Sequence, residues 1–198
     1  MRGIAYALLG VVGPQWSKQM KFLLILGFVS ALGLIWLRNG LAAEVPTVGQ
    51  PAPDFALIDQ DGQWHKLSDF HGKWLVMYFY PKDDSPHCTT EACQYRDDIS
   101  KIHALGAGVV GVSVDDRDSH AEFAKKHHLP FPLLADKDGI VAARYGSVLN
   151  LVLVKLAKRN TFIIDPSGRI EKVYLSVNAA TNPAQVVSDL AVLQAAHP

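Results

Sequence analysis

The two cysteines of this chain lie five positions apart in one short segment. Cys88 and Cys93 follow an apolar run, residues 74–79, and a loop that begins at Pro81. That order predicts a buried strand, a loop and a helix start, with Ser85 as the N-cap. Cys88 then lies in the first helical turn, where free N–H groups and the helix dipole favour a thiolate. The polar and charged neighbours of Cys88 predict an accessible position for its thiol.

The spacing of the cysteines limits how they can react with each other. In an intact helix, residues five apart have Cα atoms about 8–9 Å apart. A disulfide requires a separation below roughly 7 Å. If Cys88 and Cys93 pair during function, the first turns of the helix must unwind in each cycle. A permanent structural disulfide is the alternative that this spacing disfavours.

The segment from Pro81 to Cys93 resembles the active-site signature of the peroxiredoxins, in the alkyl hydroperoxide reductase/thiol-specific antioxidant family. That signature holds a proline, a threonine or serine and the peroxide-attacking cysteine at fixed spacing, which Pro81, Ser85 and Cys88 match. The continuation is similar to the Q-type branch, also called bacterioferritin comigratory protein, whose resolving cysteine lies five residues further on. The resemblance therefore implies that Cys88 is peroxidatic and that Cys93 is resolving.

A second segment that matches the family supplies an arginine. The family's catalytic arginine precedes a strand of the form Thr/Ser-Phe-hydrophobic-Ile-Asp, and Arg159 stands in that context. The resemblance begins at residues 48–55, the family's usual opening, and extends to the C-terminal helix. Two positions depart from the family pattern, since Ser85 replaces the usual threonine and His87 the usual glycine.

Peroxide reduction needs side chains of these types. A thiolate attacks one peroxide oxygen, and the other oxygen leaves with developing negative charge, so the site must stabilise anions. The Ser85 hydroxyl, the Arg159 guanidinium and backbone N–H groups near Cys88 can do so. Pro81 has no N–H and would shape the loop that shields the thiolate. The resulting sulfenic acid condenses readily with a second thiol, which only Cys93 can supply within the chain.

Several polar residues also have simpler interpretations. Glu91 is expected to cap the helix, and positioning the arginine is the alternative. Arg159 could instead belong to a solvated basic cluster with Lys155 and Lys158. The neighbouring pair at residues 127–128 could suggest a metal site, but adjacent histidines point to different faces of a helix. Because no third ligand is evident, we expect neither a metal nor a cofactor.

Length and charge predict one enzyme domain with an extension. Residues 44–198 have the length of one ordinary domain. The whole chain carries 19 basic and 19 acidic residues, but residues 1–43 contain no acidic residue. Nothing in this distribution suggests a nucleic-acid surface.

The extension has the character of a signal peptide or membrane anchor. Residues 22–37 are apolar and uncharged, and basic residues stand on both sides of them. This run is slightly short for a full span and slightly long for a signal-peptide core. The charge before it favours a cytoplasmic N-terminus. We therefore expect residues 44–198 in the cell envelope, membrane-anchored or exported to the periplasm. A buried core helix in a cytoplasmic protein is the alternative, and the true start could be Met20.

The remaining pattern predicts an α/β protein with a thioredoxin-like fold, which the resemblance also implies: a central mixed sheet flanked by helices. Alternating and continuous apolar runs predict its strands, and capping residues predict its helices. Besides the strand at 74–80 and the Cys88 helix, the expected elements are a hairpin at 55–67, a strand at 109–114, a helix from Ser119 to His127, an edge segment between Pro130 and Pro132, a hairpin at 161–177 and a terminal helix at 183–196.

Together these features indicate a thiol-dependent peroxidase that reduces hydrogen peroxide and organic hydroperoxides. The resemblance implies thioredoxin or a similar dithiol protein as electron donor, a role in antioxidant defence and redox homeostasis, and a monomer. For an exported domain, the donor would be a thioredoxin-like protein of the envelope. One alternative is an exported thiol–disulfide oxidoreductase of the same fold, which normally has two residues between its cysteines, whereas this chain has four. The other is a non-catalytic, membrane-tethered scaffold.

Overall fold

The computed structural model describes residues 44–151 and 155–196. In chain order the elements are β1 (Ala56–Ile58), β2 (Trp64–Lys66), a 3-10 helix (Leu67–Phe70), β3 (Trp74–Phe79), α1 (Pro86–Asp97), α2 (Ile99–Ala104), β4 (Ala107–Ser113), α3 (Arg117–His127), β5 (Leu133–Ala135), α4 (Ile140–Arg144), β6 (Val148–Asn150), β7 (Lys155–Ala157), β8 (Asn160–Ile164), β9 (Ile170–Tyr174) and α5 (Asn182–Ala196).

The signal or anchor segment expected within residues 1–43 lies outside the described residues. In the part of the chain that is described, no helix has the length and apolar character needed to cross a membrane.

The central sheet is mixed, as the sequence predicts. Its strand order is β5-β4-β3-β8-β9. Strands β3, β4 and β5 are parallel, whereas β8 runs antiparallel to both β3 and β9. All six residues of β3 are buried, as expected for a strand that is covered on both faces.

Successive residues of β3 point to opposite faces and so join two separate cores. Val76 and Tyr78 pack in the core that also contains Cys88. Met77 and Phe79 pack in the core on the other face. Strand β3 therefore lies beneath helix α1, and the helix that carries Cys88 packs directly on the sheet.

Helix α1 begins where the sequence predicts. Ser85 is its N-cap in an extended conformation, and Pro86 is the first helical residue, a position where proline's missing N–H costs nothing. The Ser85 hydroxyl does not cap the helix, because it donates instead to the Lys82 carbonyl at 3.0 Å. The side chain thus closes the preceding loop.

Two predicted boundaries are wrong. Helix α3 begins at Arg117 with Asp116 as its N-cap, and the Ser119 N–H donates to the Asp116 carboxylate at 3.0 Å. A carboxylate three residues upstream is an equally good acceptor, so the helix starts earlier. The edge strand β5 follows Pro132 instead of lying between the two prolines.

The closing hairpin and the terminal helix are confirmed. Strands β8 and β9 pair antiparallel, with Phe162 opposite Val173. On α5, Val186 and Leu190 are fully buried against the core that contains Cys88. The short helices α2 and α4 and the hairpin of β6 and β7 were not expected, because each is too short to show a clear period.

Candidate active site

The Cys88 thiol lies in the first turn of α1 but not on an accessible surface. Its exposed fraction is only 1%, so the expectation of an accessible loop is wrong. Its polar neighbours occupy the outer side of the turn, and His87 is exposed. Cys88 itself faces the sheet and packs in the core with Tyr78 and Ala92. Only a group that is small or slender could therefore reach the sulfur.

Arg159 lies directly against this sulfur. Its Nη2 donates to the Cys88 Sγ at 3.1 Å. The sheet explains how two residues so distant in sequence meet. Strand β8 runs antiparallel to β3, with Asn160 opposite Phe79, so the residue before β8 stands where β3 ends and the loop to α1 begins. Only 14% of the Arg159 side chain is exposed, unlike a residue of a solvated cluster.

Glu91 holds the other side of the same guanidinium. It lies one helical turn after Cys88, on the same face of α1, and its carboxylate forms an ion pair with Arg159 Nη1. The Glu91 side chain is fully buried. The expected capping role is therefore wrong, and the alternative, positioning of the arginine, matches the geometry.

Burial and charge oppose each other in this cluster. Burial raises the pKa of Glu91 to about 7, although Arg159 acts in the opposite direction. Burial alone would lower the pKa of Arg159, but the neighbouring Glu91 and Cys88 outweigh it and raise the pKa. The guanidinium therefore stays cationic between two groups that can both become anions. A fixed cation of this kind stabilises negative charge at the Cys88 sulfur.

The raised pKa of Glu91 makes stability depend on pH. In the unfolded chain this carboxyl ionises near 4.5, whereas in the folded protein it holds its proton up to about 7. The unfolded state therefore binds fewer protons between these values, and stability falls as pH rises through that window, by about 3 kcal/mol for this group. Glu91→Gln should remove this fall. Chemical denaturation of both proteins from pH 4.5 to 8 measures it, and parallel curves would contradict the prediction.

The loop before α1 is fixed by Asp83, which the sequence analysis missed. Its buried carboxylate accepts hydrogen bonds from the Tyr80 hydroxyl at 2.7 Å and the Ser119 hydroxyl at 2.7 Å. The His120 Nδ1 lies 2.8 Å from it, and the Asp83 N–H donates to Asp115 at 2.8 Å. These contacts hold the loop against α3. The contacts with Asp115, Ser119 and His120 join residues more than thirty positions apart, so a local pattern does not reveal them.

Asp84 attaches the same loop to the end of α3. Its backbone is left-handed, with φ of 57°. Its carboxylate binds Lys126 Nζ at 2.6 Å and His127 Nε2 at 2.8 Å. These two partners lower the pKa of Asp84. His127 is thus engaged by a carboxylate. Within residues 44–151 and 155–196, no group of three histidine, cysteine or acidic side chains is arranged to hold a metal ion.

Cys93 lies in the same unbroken helix as Cys88. Helix α1 extends from Pro86 to Asp97, and both thiols are free. Cys93 is partly exposed, whereas Cys88 is buried. The helical geometry keeps their Cα atoms about 8–9 Å apart, so this conformation does not permit a disulfide between them.

Comparison with known families places these residues in a wider context. The model of the AhpC/TSA family matches residues 48–173. The chain is 43% identical to a chloroplastic peroxiredoxin Q from Populus jackii over 138 residues, which is 70% of this chain and 64% of that protein. It thus spans less than two thirds of the plant relative. It is 42% identical to a bcp peroxiredoxin from Coxiella burnetii over 147 residues, 72% of this chain and 97% of that protein.

A solved structure shows the same architecture. The bacterioferritin comigratory protein of Xanthomonas campestris, whose structure was described with its alkyl peroxide reduction activity, superposes with a TM-score of 0.70. The two sequences are 28% identical, and the match covers 75% of this chain and 99% of that one. The thioredoxin-like architecture of the sheet and its helices is therefore shared with that protein.

Proposed function

Because the chain belongs to the AhpC/TSA family, in its peroxiredoxin Q/Bcp branch, we propose that it is a thiol-dependent peroxidase in which Cys88 attacks the peroxide. One observation carries this proposal: the Arg159 guanidinium lies 3.1 Å from a Cys88 sulfur that is held in the first turn of a helix. The cation and the helix terminus both favour a thiolate at this sulfur and oppose the effect of its burial, and an inert core cysteine would need neither of them.

In the first step the Cys88 thiolate attacks one oxygen of the peroxide. A sulfur–oxygen bond forms, the O–O bond breaks, and the second oxygen leaves as an alkoxide or hydroxide that takes up a proton. Cys88 becomes a sulfenic acid. Arg159 and the free N–H groups of the helix terminus stabilise the charge on the leaving oxygen. Pro81 and Ser85 shape the loop that covers the thiol, and the Ser85 hydroxyl secures it through the Lys82 carbonyl.

In the second step Cys93 resolves the sulfenic acid. Its thiolate attacks the Cys88 sulfur, a disulfide forms, and the oxygen leaves as hydroxide, which becomes water. The separation of the two residues in α1 means that the first turns of the helix must unwind for this step. Reduction by two electrons from a dithiol donor then restores both thiols and allows the helix to form again.

The substrates that we propose are hydrogen peroxide and organic hydroperoxides. Deep burial of the sulfur favours molecules that present a terminal O–OH group, which both kinds share. The alkyl peroxide reduction described for the Xanthomonas relative supports the organic class. We propose thioredoxin or a thioredoxin-like protein as donor, because an exposed disulfide at an unwound helix end can be attacked by an external thiolate.

Cys93→Ser is expected to separate the two steps. Because Cys88 and Arg159 are untouched, the variant should consume one equivalent of peroxide per chain at the wild-type rate and then stop as a sulfenic acid. Steady-state turnover with a thioredoxin-reducing system should fall by about a hundredfold or more, since the donor has no intramolecular disulfide to reduce. Peroxide consumption and mass spectrometry of the oxidised chain measure both effects. Full steady-state turnover by this variant would remove Cys93 from the mechanism.

We also propose that residues 1–43 direct the enzyme domain, residues 44–198, to the cell envelope. The uncharged run at residues 22–37 and its flanking basic residues support this. A donor in the same compartment would then be needed. Fractionation of cells expressing the full chain tests the proposal: recovery of the domain with the membrane or periplasm is expected, and recovery only with the cytosol would contradict it.

A further inference from the structure

Arg96 is a cation beside Cys93 that the proposed mechanism does not yet use. It lies on α1 three residues after Cys93, on the same face of the helix. Side chains three residues apart in a helix are neighbours, and the pKa of Arg96 is raised by Asp97 and, to a smaller extent, by Cys93. About one third of its side chain is exposed, 32%, so the pair is reachable from solvent.

The guanidinium is held in place by a different helix. Arg96 Nη1 donates to the His127 carbonyl at 2.8 Å. His127 is the last residue of α3, where carbonyl groups have no helical partner and the helix dipole is negative. Such an end attracts a cation. Because this contact does not involve the first turns of α1, it can keep the guanidinium in position while those turns unwind.

We propose that Arg96 activates Cys93 for the resolving step by stabilising its thiolate. The inference rests on the proposed function, in which Cys93 attacks the sulfenic acid of Cys88. Only the thiolate is nucleophilic, and a neighbouring guanidinium favours the anion over the thiol. The proton of the Cys93 thiol passes to solvent, the S–S bond forms, the S–O bond of the sulfenic acid breaks, and the departing hydroxide becomes water. The cation thus serves the second step in the way that Arg159 serves the first.

Among the described residues, the nearby charged groups Asp97, Lys126 and His127 have other partners. Asp97 accepts from Nε and Nη2 of the Arg96 guanidinium, both at 2.8 Å, and 66% of its side chain is exposed. Its negative charge is therefore screened by solvent. On α3, Lys126 and the His127 ring both bind Asp84. Of these cations in the described part of the chain, the Arg96 guanidinium is the one placed to act on the Cys93 sulfur.

The test compares Arg96→Met and Arg96→Lys with the wild-type full chain. Each reduced protein receives one equivalent of hydrogen peroxide, and disulfide formation is followed by rapid quenching and mass spectrometry between pH 5.5 and 9.5. Loss of the guanidinium lowers the fraction of Cys93 present as thiolate, and we expect the step to slow about tenfold near pH 7. Arg96→Met should show this loss and regain the wild-type rate at high pH. Arg96→Lys should recover most of the rate, because it keeps the charge.

Two controls isolate the effect. Lys101→Met removes an exposed cation of the next helix that pairs with Asp98, and its profile should match the wild type. The rate of Cys88 oxidation in Arg96→Met should also be unchanged. An unshifted profile, or a loss of equal size at every pH, would overturn the role of Arg96. If the wild type itself forms no disulfide between Cys88 and Cys93, the proposed resolving step fails, and the inference fails with it.

Discussion

Replacement of Cys88 by serine is expected to abolish peroxide turnover, with a loss of about a thousandfold or more. Serine is nearly the same size as cysteine, so the buried position next to Tyr78 and Ala92 can be filled without a large cavity. A serine hydroxyl does not ionise near neutral pH, however, and it cannot become a sulfenic acid. The change therefore removes the nucleophile while it preserves the surroundings.

Peroxide consumption by the wild type and by Cys88→Ser, each supplied with a thioredoxin-reducing system, measures this effect. Circular dichroism and the thermal midpoint of both proteins verify that the variant is folded. Wild-type consumption of peroxide by folded Cys88→Ser would exclude the peroxidase mechanism. The thiol–disulfide oxidoreductase and the scaffold would then become the leading interpretations.

The fold is predictable from the sequence wherever a single local pattern determines an element. The continuous apolar run that becomes β3 is typical of a strand buried on both faces. Ser85 and Pro86 fix the start of α1, because proline is favoured at the first helical position. The start of α3 was misplaced because Asp116 and Ser119 are both good caps, and only the surrounding structure selects between them.

The site is predictable from the sequence only in part. The resemblance to the family signature predicts that Cys88 and Arg159 belong to one site, but local patterns could not show that they touch, since this depends on the pairing of β3 with β8. Glu91 was misjudged for a related reason. A glutamate early in a helix usually caps it or faces solvent, and its burial here depends on which face of α1 meets the sheet. The ion pair with Arg159 supplies the compensation that such burial requires.

Replacement of Arg159 by methionine is expected to slow the oxidation of Cys88 by about a hundredfold to a thousandfold, the usual effect of removing one charged donor from a developing anion. Methionine keeps much of the length of the side chain and its apolar packing but loses the contact of Nη2 with the Cys88 sulfur. Arg159→Lys should recover part of the rate. It keeps the charge, but one ammonium group cannot reproduce the planar fork that binds sulfur and carboxylate together.

The second-order rate of Cys88 oxidation by hydrogen peroxide, measured in single turnover, checks this prediction. Arg117→Met provides a matched control, because Arg117 is an exposed arginine whose partner, Asp118, is also exposed. The control should retain the wild-type rate. An oxidation rate for Arg159→Met within about threefold of that rate would show that the guanidinium contributes little to the transition state.

A slow variant could also arise from structural damage, because Arg159→Met leaves the Glu91 carboxyl buried without its cation. Such a carboxyl takes up a proton or destabilises the fold, so this variant should lose stability most strongly above pH 7. The double variant Arg159→Met/Glu91→Gln removes the unpaired acid and should regain stability. If Arg159 acts on the reacting sulfur, the double variant remains slow although it is stable again. Recovery of rate together with stability would instead show that the arginine serves the fold and not the chemistry.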